Sequence, residues 1–150
     1  MAKIAIGTDH GAIDYKTDVI KHLENLGHEV DDCGTNSTDS CDYPDFAEIV
    51  AEKVAAGICD FGILMCGTGI GMSLAANKVK GIRAAVIPNV EYAKLSKQHN
   101  NANIICLSGR FMSLQDCIDC VDAYMAETFA GDRHARRVEK IMQIEDKYFK

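Results

Sequence analysis

No stretch of about 18 apolar residues, roughly the length needed to span a membrane as a helix, occurs anywhere in the 150-residue chain. The opening MAKIAIGTDHG is too short in apolar character for a secretory leader, because Gly7 and Asp9 interrupt it. A cytoplasmic protein without membrane contact is expected. An excess of basic charge is also missing: 16 Lys+Arg stand against 22 Asp+Glu, a net charge of -6. That is the wrong sign for a chain that neutralises many nucleic-acid phosphates, so any anion bound must meet a local basic cluster. A disulfide framework is lacking too. The seven cysteines, Cys33, Cys41, Cys59, Cys66, Cys106, Cys117 and Cys120, form an odd set, and several sit inside apolar runs, as free thiols do in a reducing compartment. Repeats, low-complexity tracts and linkers are absent, and the length suits one domain over 1–150.

What is there is 47% hydrophobic and 25% charged, enough apolar material for a core. Lys3 to Thr8 reads as a strand, and Ile13, Val19, Ile20, Leu23 and Leu26 as a helical stripe closed by Gly27. A second strand is expected at Glu29 to Cys33. A polar loop then leads to Pro44, a favourable first-turn residue for a helix carrying Phe46, Ile49, Val50 and Val54. Phe61 to Cys66 (FGILMC) is almost wholly apolar, as a central strand covered on both faces must be. A short helix through Ala75 and Ala76, a strand at Ala84 to Ile87, a helix from about Val90 to Gln98 and a strand at Asn103 to Leu107 continue the alternation. Leu114, Cys117, Ile118, Val121 and Met125 mark another helix. A last one is expected from Asp132 to Tyr148, with Val138, Ile141, Met142 and Phe149 on a face. The expected fold is α/β: a Rossmann-like three-layer α/β/α sandwich on a five-stranded parallel sheet, plus an extra C-terminal helix.

In such a fold ligands bind beyond the carboxyl ends of the strands, so the loops there are where chemistry is sought. Cys66-Gly-Thr-Gly-Ile-Gly71 is the most informative, since three glycines let backbone N–H groups converge where a helix begins. A thiol there is a plausible base or nucleophile; it is equally a small core residue before a tight turn. The loop is not a dinucleotide fingerprint, because Met72 stands where the third glycine belongs, and it is not a Walker loop, because no lysine follows Gly67. Asp9-His10 after the first strand reads either as an acid/base pair or as a helix cap beside a solvated His. Arg133 and Arg137 share a helical face at i,i+4, an arrangement that suits a bound anion or a solvated surface balanced by Asp132 and Glu139; Arg110 would add a third fork. His99 falls where a helix returns to strand five. A catalytic role there favours delivery to a second subunit, and the alternative is an exposed loop residue. Cys117-x2-Cys120 reads as core rather than a zinc site, because structural zinc takes four ligands.

Taken together, Gly-Thr-Asp9-His10-Gly, Asp42-Tyr43-Pro44-Asp45, Cys66-Gly-Thr-Gly-Ile-Gly71-Met-Ser, Asn77-Lys-x-x-Gly-Ile-Arg83-Ala, His99-Asn-Asn-Ala-Asn103 and Arg133-His-x-x-Arg137-Val resemble the ribose-5-phosphate isomerase B family over nearly the whole chain. That group also holds the galactose-6-phosphate isomerase subunits. The resemblance implies interconversion of D-ribose 5-phosphate and D-ribulose 5-phosphate, a pentose phosphate pathway step, through a cis-enediolate and without metal or other cofactor. By that likeness Cys66 is the base, and the amides of Gly67, Thr68, Gly69, Ile70 and Gly71 hold the enediolate oxygen with help from the Thr68 side chain. His99 opens the ring and Asp9 assists at the anomeric hydroxyl. His10, Arg110, Arg133 and Arg137 bind phosphate, and Tyr43 and Asn100 line the sugar. The likeness also implies a homodimer, or a tetramer, with sites shared between chains. One departure is visible, Gly11-Ala12 where the family commonly has Ala-Gly. The other readings are an isomerase of allose 6-phosphate, galactose 6-phosphate or a free rare sugar, and a small-anion-binding regulatory domain without turnover.

Overall fold

The computed structural model describes residues 1–150. In chain order it contains β1 (Lys3–Thr8), a single 3-10 turn (His10–Ala12), α1 (Ile13–Asn25), β2 (Glu29–Asp32), α2 (Tyr43–Ala55), β3 (Phe61–Cys66) and α3 (Ile70–Ala76). There follow β4 (Ala84–Val86), α4 (Val90–Gln98), β5 (Ile104–Ser108), α5 (Leu114–Met125) and α6 (Arg133–Tyr148). The five strands are all parallel in the order β2-β1-β3-β5-β4. FGILMC is thus the middle strand, and every one of its residues is buried.

Side-chain alternation along β3 divides the core in two. Ile63 and Met65 join Ile4, Ile6, Val19, Leu23, Ile105, Leu107, Cys117 and Val121 under α1, α4 and α5. Leu64 and Cys66 join Val50, Val54, Met72, Ala76 and Cys106 under α2 and α3. This is the three-layer sandwich expected from the alternation of elements. Cys117 and Cys120 are fully buried, in keeping with the core reading; burial and neighbouring charge push their thiols up to about 12 and about 11.

Several boundaries move by a residue. β2 stops at Asp32 rather than Cys33, because the chain turns at Gly34, where φ is +97°. β4 stops at Val86; Ile87 still donates its N–H to Cys106 O at 3.0 Å, but Pro88 cannot continue the ladder. β5 begins at Ile104 rather than Asn103, whose side chain brackets the preceding turn, accepting from Arg83 N at 2.7 Å and donating to Gly81 O at 2.9 Å. It extends to Ser108, paired beside Cys66. α6 starts at Arg133, one residue after Asp132.

α6 lies outside both core clusters. Of the four residues expected on its apolar face only Val138 is buried; Ile141 is 49% exposed, as is its neighbour Ile144 at 60%. The helix is held by a Glu145 carboxylate accepting from Gly81 N at 2.9 Å and by Lys80 pairing with Asp146 at 3.3 Å. Between it and the chain before β4 runs a cavity of about 430 Å³, lined among others by Arg83, Ala84, Asn100, Ile141 and Phe149.

Candidate active site

β3 carries Cys66 to the carboxyl edge of the sheet, at the floor of a cavity of about 470 Å³ whose wall includes Asp9, Tyr43, Thr68, Ile70 and Gly71. The sulfur belongs to a residue only 5% exposed. Gly69 donates its backbone N–H to Cys66 Sγ at 3.2 Å, and Ile70 donates its N–H to Thr68 Oγ1 at 3.1 Å. One amide of the loop, that of Gly69, is therefore aimed at the thiol, and a second is given to the Thr68 hydroxyl. Gly69 has φ +83°, and a Cβ there would lie 3.1 Å from Cys106 O, so both conformation and crowding call for glycine. Gly71 is glycine for another reason: a Cβ would stand 2.5 Å from two ring atoms of Tyr43. Tyr43 thus lies directly against the start of α3.

The β5 loop is bolted to this one. Gly109 N donates to Cys66 O at 2.8 Å and Arg110 N to Gly67 O at 3.2 Å, while the Ser108 hydroxyl donates to Gly67 O at 2.6 Å and accepts from Phe111 N at 2.8 Å. The Arg110 guanidinium consequently lies over Gly67, 3.4 Å from where a Cβ would be. Asp9 Oδ1 accepts from Gly11 N at 2.9 Å, the cap of one of its two readings, and the residue also lines the cavity. His10 Nδ1 accepts from Cys41 N at 3.3 Å, with Cys41 Sγ 3.7 Å away. Behind the site, burial and the neighbouring Cys66 push the Cys106 thiol far above the usual range, leaving Cys66 as the thiol that meets the cavity.

The structure does not bring every expected residue here. His99 caps the end of α4, and the connection from there to β5 returns the chain to the amino edge of the parallel sheet. Asn100 lines the cavity beside α6, away from Tyr43, and Arg133 and Arg137 sit at the start of α6. Within one chain the expected residues thus fall into two groups at opposite ends of the sheet: Asp9, His10, Tyr43, Cys66 to Gly71 and Arg110 at one, His99, Asn100, Arg133 and Arg137 at the other.

The supporting roles of two residues escape a reading of the sequence. By sequence Ser108 falls in the loop after the fifth strand, where chemistry is sought, but its bridging depends on strand pairing with Cys66. Lys16 carries a local signal, a lysine on the apolar stripe of α1. Its side chain is buried, and Nζ donates to Asp32 Oδ1 at 2.9 Å, Asn36 Oδ1 at 2.7 Å and Thr35 O, pinning the chain that leads to Tyr43.

A family model described as ribose/galactose isomerase matches residues 4–141. The chain belongs to that family. It is 45% identical over 147 residues to ribose-5-phosphate isomerase B of Escherichia coli, with 98% of this chain and 99% of that relative covered. Among solved structures of the family, ribose-5-phosphate isomerase B of Clostridium thermocellum is similar with a TM-score of 0.96 at 51% identity, over 97% of this chain and 99% of that one. The Mycoplasma genitalium member, solved with bound ribulose 5-phosphate, is similar at 0.94 and 44% identity over 97% of both chains. At these scores the two solved relatives share the fold of this chain.

Proposed function

We propose that the chain is an aldose-ketose isomerase interconverting D-ribose 5-phosphate and D-ribulose 5-phosphate, with Cys66 as the proton-transferring base. The observation that carries this reading is the Cys66 sulfur on the cavity floor with the Gly69 N–H directed at it. Identity to ribose-5-phosphate isomerases B along the full chain supports the substrate.

The first step opens the furanose. The C1–O4 bond breaks as O4 takes a proton from His99 and the C1 hydroxyl gives one to Asp9, leaving the open-chain aldehyde. The Cys66 thiolate then removes the proton on C2, the electron pair moves into the C1 carbonyl, and a cis-enediolate forms. Amides of the Gly67 to Gly71 loop stabilise the new negative charge, where fixed dipoles act most strongly. The proton held by Cys66 is then delivered to C1 while the O2 hydroxyl proton passes to O1, so that C2 becomes the carbonyl and C1 a hydroxymethyl group, the ketose. His10 and three arginines, Arg110, Arg133 and Arg137, hold the phosphate, whose two charges suit guanidinium forks.

This chemistry needs both groups of residues, and two copies supply them: the cavity of one protomer with His99, Asn100, Arg133 and Arg137 of its partner. The uncovered Ile141 and Ile144 face and the adjoining cavity give the second copy an apolar seat. The decisive assay is ribulose 5-phosphate formation from ribose 5-phosphate in the presence of chelator. Cys66→Ala should lower kcat by at least about 10³-fold while the substrate still binds in calorimetry. Turnover by Cys66→Ala near the wild-type rate would remove Cys66 from the mechanism.

A further inference from the structure

The ring of His99 is not alone at the end of α4. The imidazole of His134 lies flat against it, with ring centroids 4.0 Å apart and planes 7° from parallel. The contact is built, not incidental. The segment after α5 is tied to the end of α4 by Ala130 N donating to Gln98 O at 2.9 Å and by the Gln98 side chain donating to Glu127 Oε2 at 2.7 Å. His134 N then donates to Gly131 O at 3.0 Å, opening α6, and the His134 side chain is buried to 8% exposure on a helix whose other early residues are mostly exposed. A buried histidine whose only described side-chain partner is another ring is poorly explained as surface filler.

We propose that His134 is a positioning residue for His99: its ring is the platform that fixes the plane in which His99 presents its nitrogens to the sugar. The proposal rests on the reading of His99 as the group that opens the furanose. A general acid must point along one line to its acceptor, and a residue at a helix end, where the next residues turn into a loop, has little else to hold its ring. The stack removes rotation about the last side-chain bond. Burial, His99 itself, Arg133 and Arg137 all lower the affinity of His134 for a proton, against a smaller opposing effect of Asp132. His134 therefore stays neutral near pH 7, and two cations never meet face to face when His99 carries the proton it is to donate. Because Arg133 and Arg137 flank His134 on one helical turn, the same platform locks the ring-opening group in register with two phosphate ligands.

Ribulose 5-phosphate cannot form a furanose, since its C5 oxygen is esterified, so exchange of its C1 hydrogen with deuterium oxide reports proton transfer without ring chemistry. Net conversion of ribose 5-phosphate reports both. His134→Ala should lower conversion about tenfold and leave C1 exchange within about twofold of wild type. His134→Phe, which keeps a flat ring in place, should restore most of the conversion, and His99→Asn should show the same split as His134→Ala. Unchanged conversion in His134→Ala, or a His134→Phe variant as impaired as the alanine one, overturns the platform. A split in His99→Asn without one in His134→Ala overturns it while sparing the ring-opening reading. No split in His99→Asn overturns that reading and the platform with it.

Discussion

At the scale of single residues, the cavity beside Cys66 is shaped by what is absent from one position. The missing Cβ of Gly71 is what lets the Tyr43 ring lie against the start of α3. Gly71→Ala should push that ring aside and raise KM for the sugar phosphate about fivefold, whereas in a Tyr43→Ala background the same change should add little, the non-additivity expected of touching residues. Steady-state kinetics on the four variants measure the coupling directly. Much at this scale was legible in advance. The Cys66 to Gly71 run advertises its backbone freedom and its thiol together, and Asp9 follows a strand end. Ser108 was legible by its place after the expected fifth strand but not by its role, because its hydroxyl acts through its neighbour across the β3 and β5 pairing, which no local pattern encodes. The His99 and His134 stack was hidden for the same reason, as 35 positions separate two residues that only the packing of α6 on α4 brings together.

At the scale of elements, hydrophobic period and turn residues gave all five strands and six helices in their order, with the strand bounds within a residue, because a doubly covered sheet leaves long apolar runs and helices leave stripes. The boundary shifts fall where the chain leaves or enters the sheet, as at the Gly34 turn and before Pro88. Lys16 illustrates a charge placed on a helix to hold something other than the helix. Lys16→Met should destabilise the fold by about 2 kcal/mol, less than for a wholly buried pair because Asp32 is partly exposed. Urea unfolding measures this, and a Lys16→Met, Asp32→Asn double variant should recover part of the loss by removing the stranded charge. The α6 stripe was read correctly as apolar; what the periodicity of one helix cannot say is which surface covers it.

At the scale of the whole molecule, parallel topology forces the separation of the two residue groups that the proposed reaction needs. Loops that follow strands gather at one edge and loops that precede them at the other, so Cys66 and His99 of one chain cannot meet. Complementation tests the shared arrangement. Cys66→Ala and His99→Ala proteins, each impaired alone, should regain activity when co-refolded. With random pairing half the dimers are mixed, and each mixed dimer holds one intact site of two, giving about a quarter of wild-type activity. Recovery no greater than the sum of the separate variants would place each site within one chain.

The position of α6, outside both buried clusters, carries a consequence for the gene. A premature stop directly after the Gly131 codon would spare the sheet and its two packed faces yet delete Arg133, His134 and Arg137 in a single lesion. The truncated product should accumulate as a folded, thermally cooperative and catalytically silent polypeptide, so that abundance in a cell would be a misleading guide to whether the locus still works.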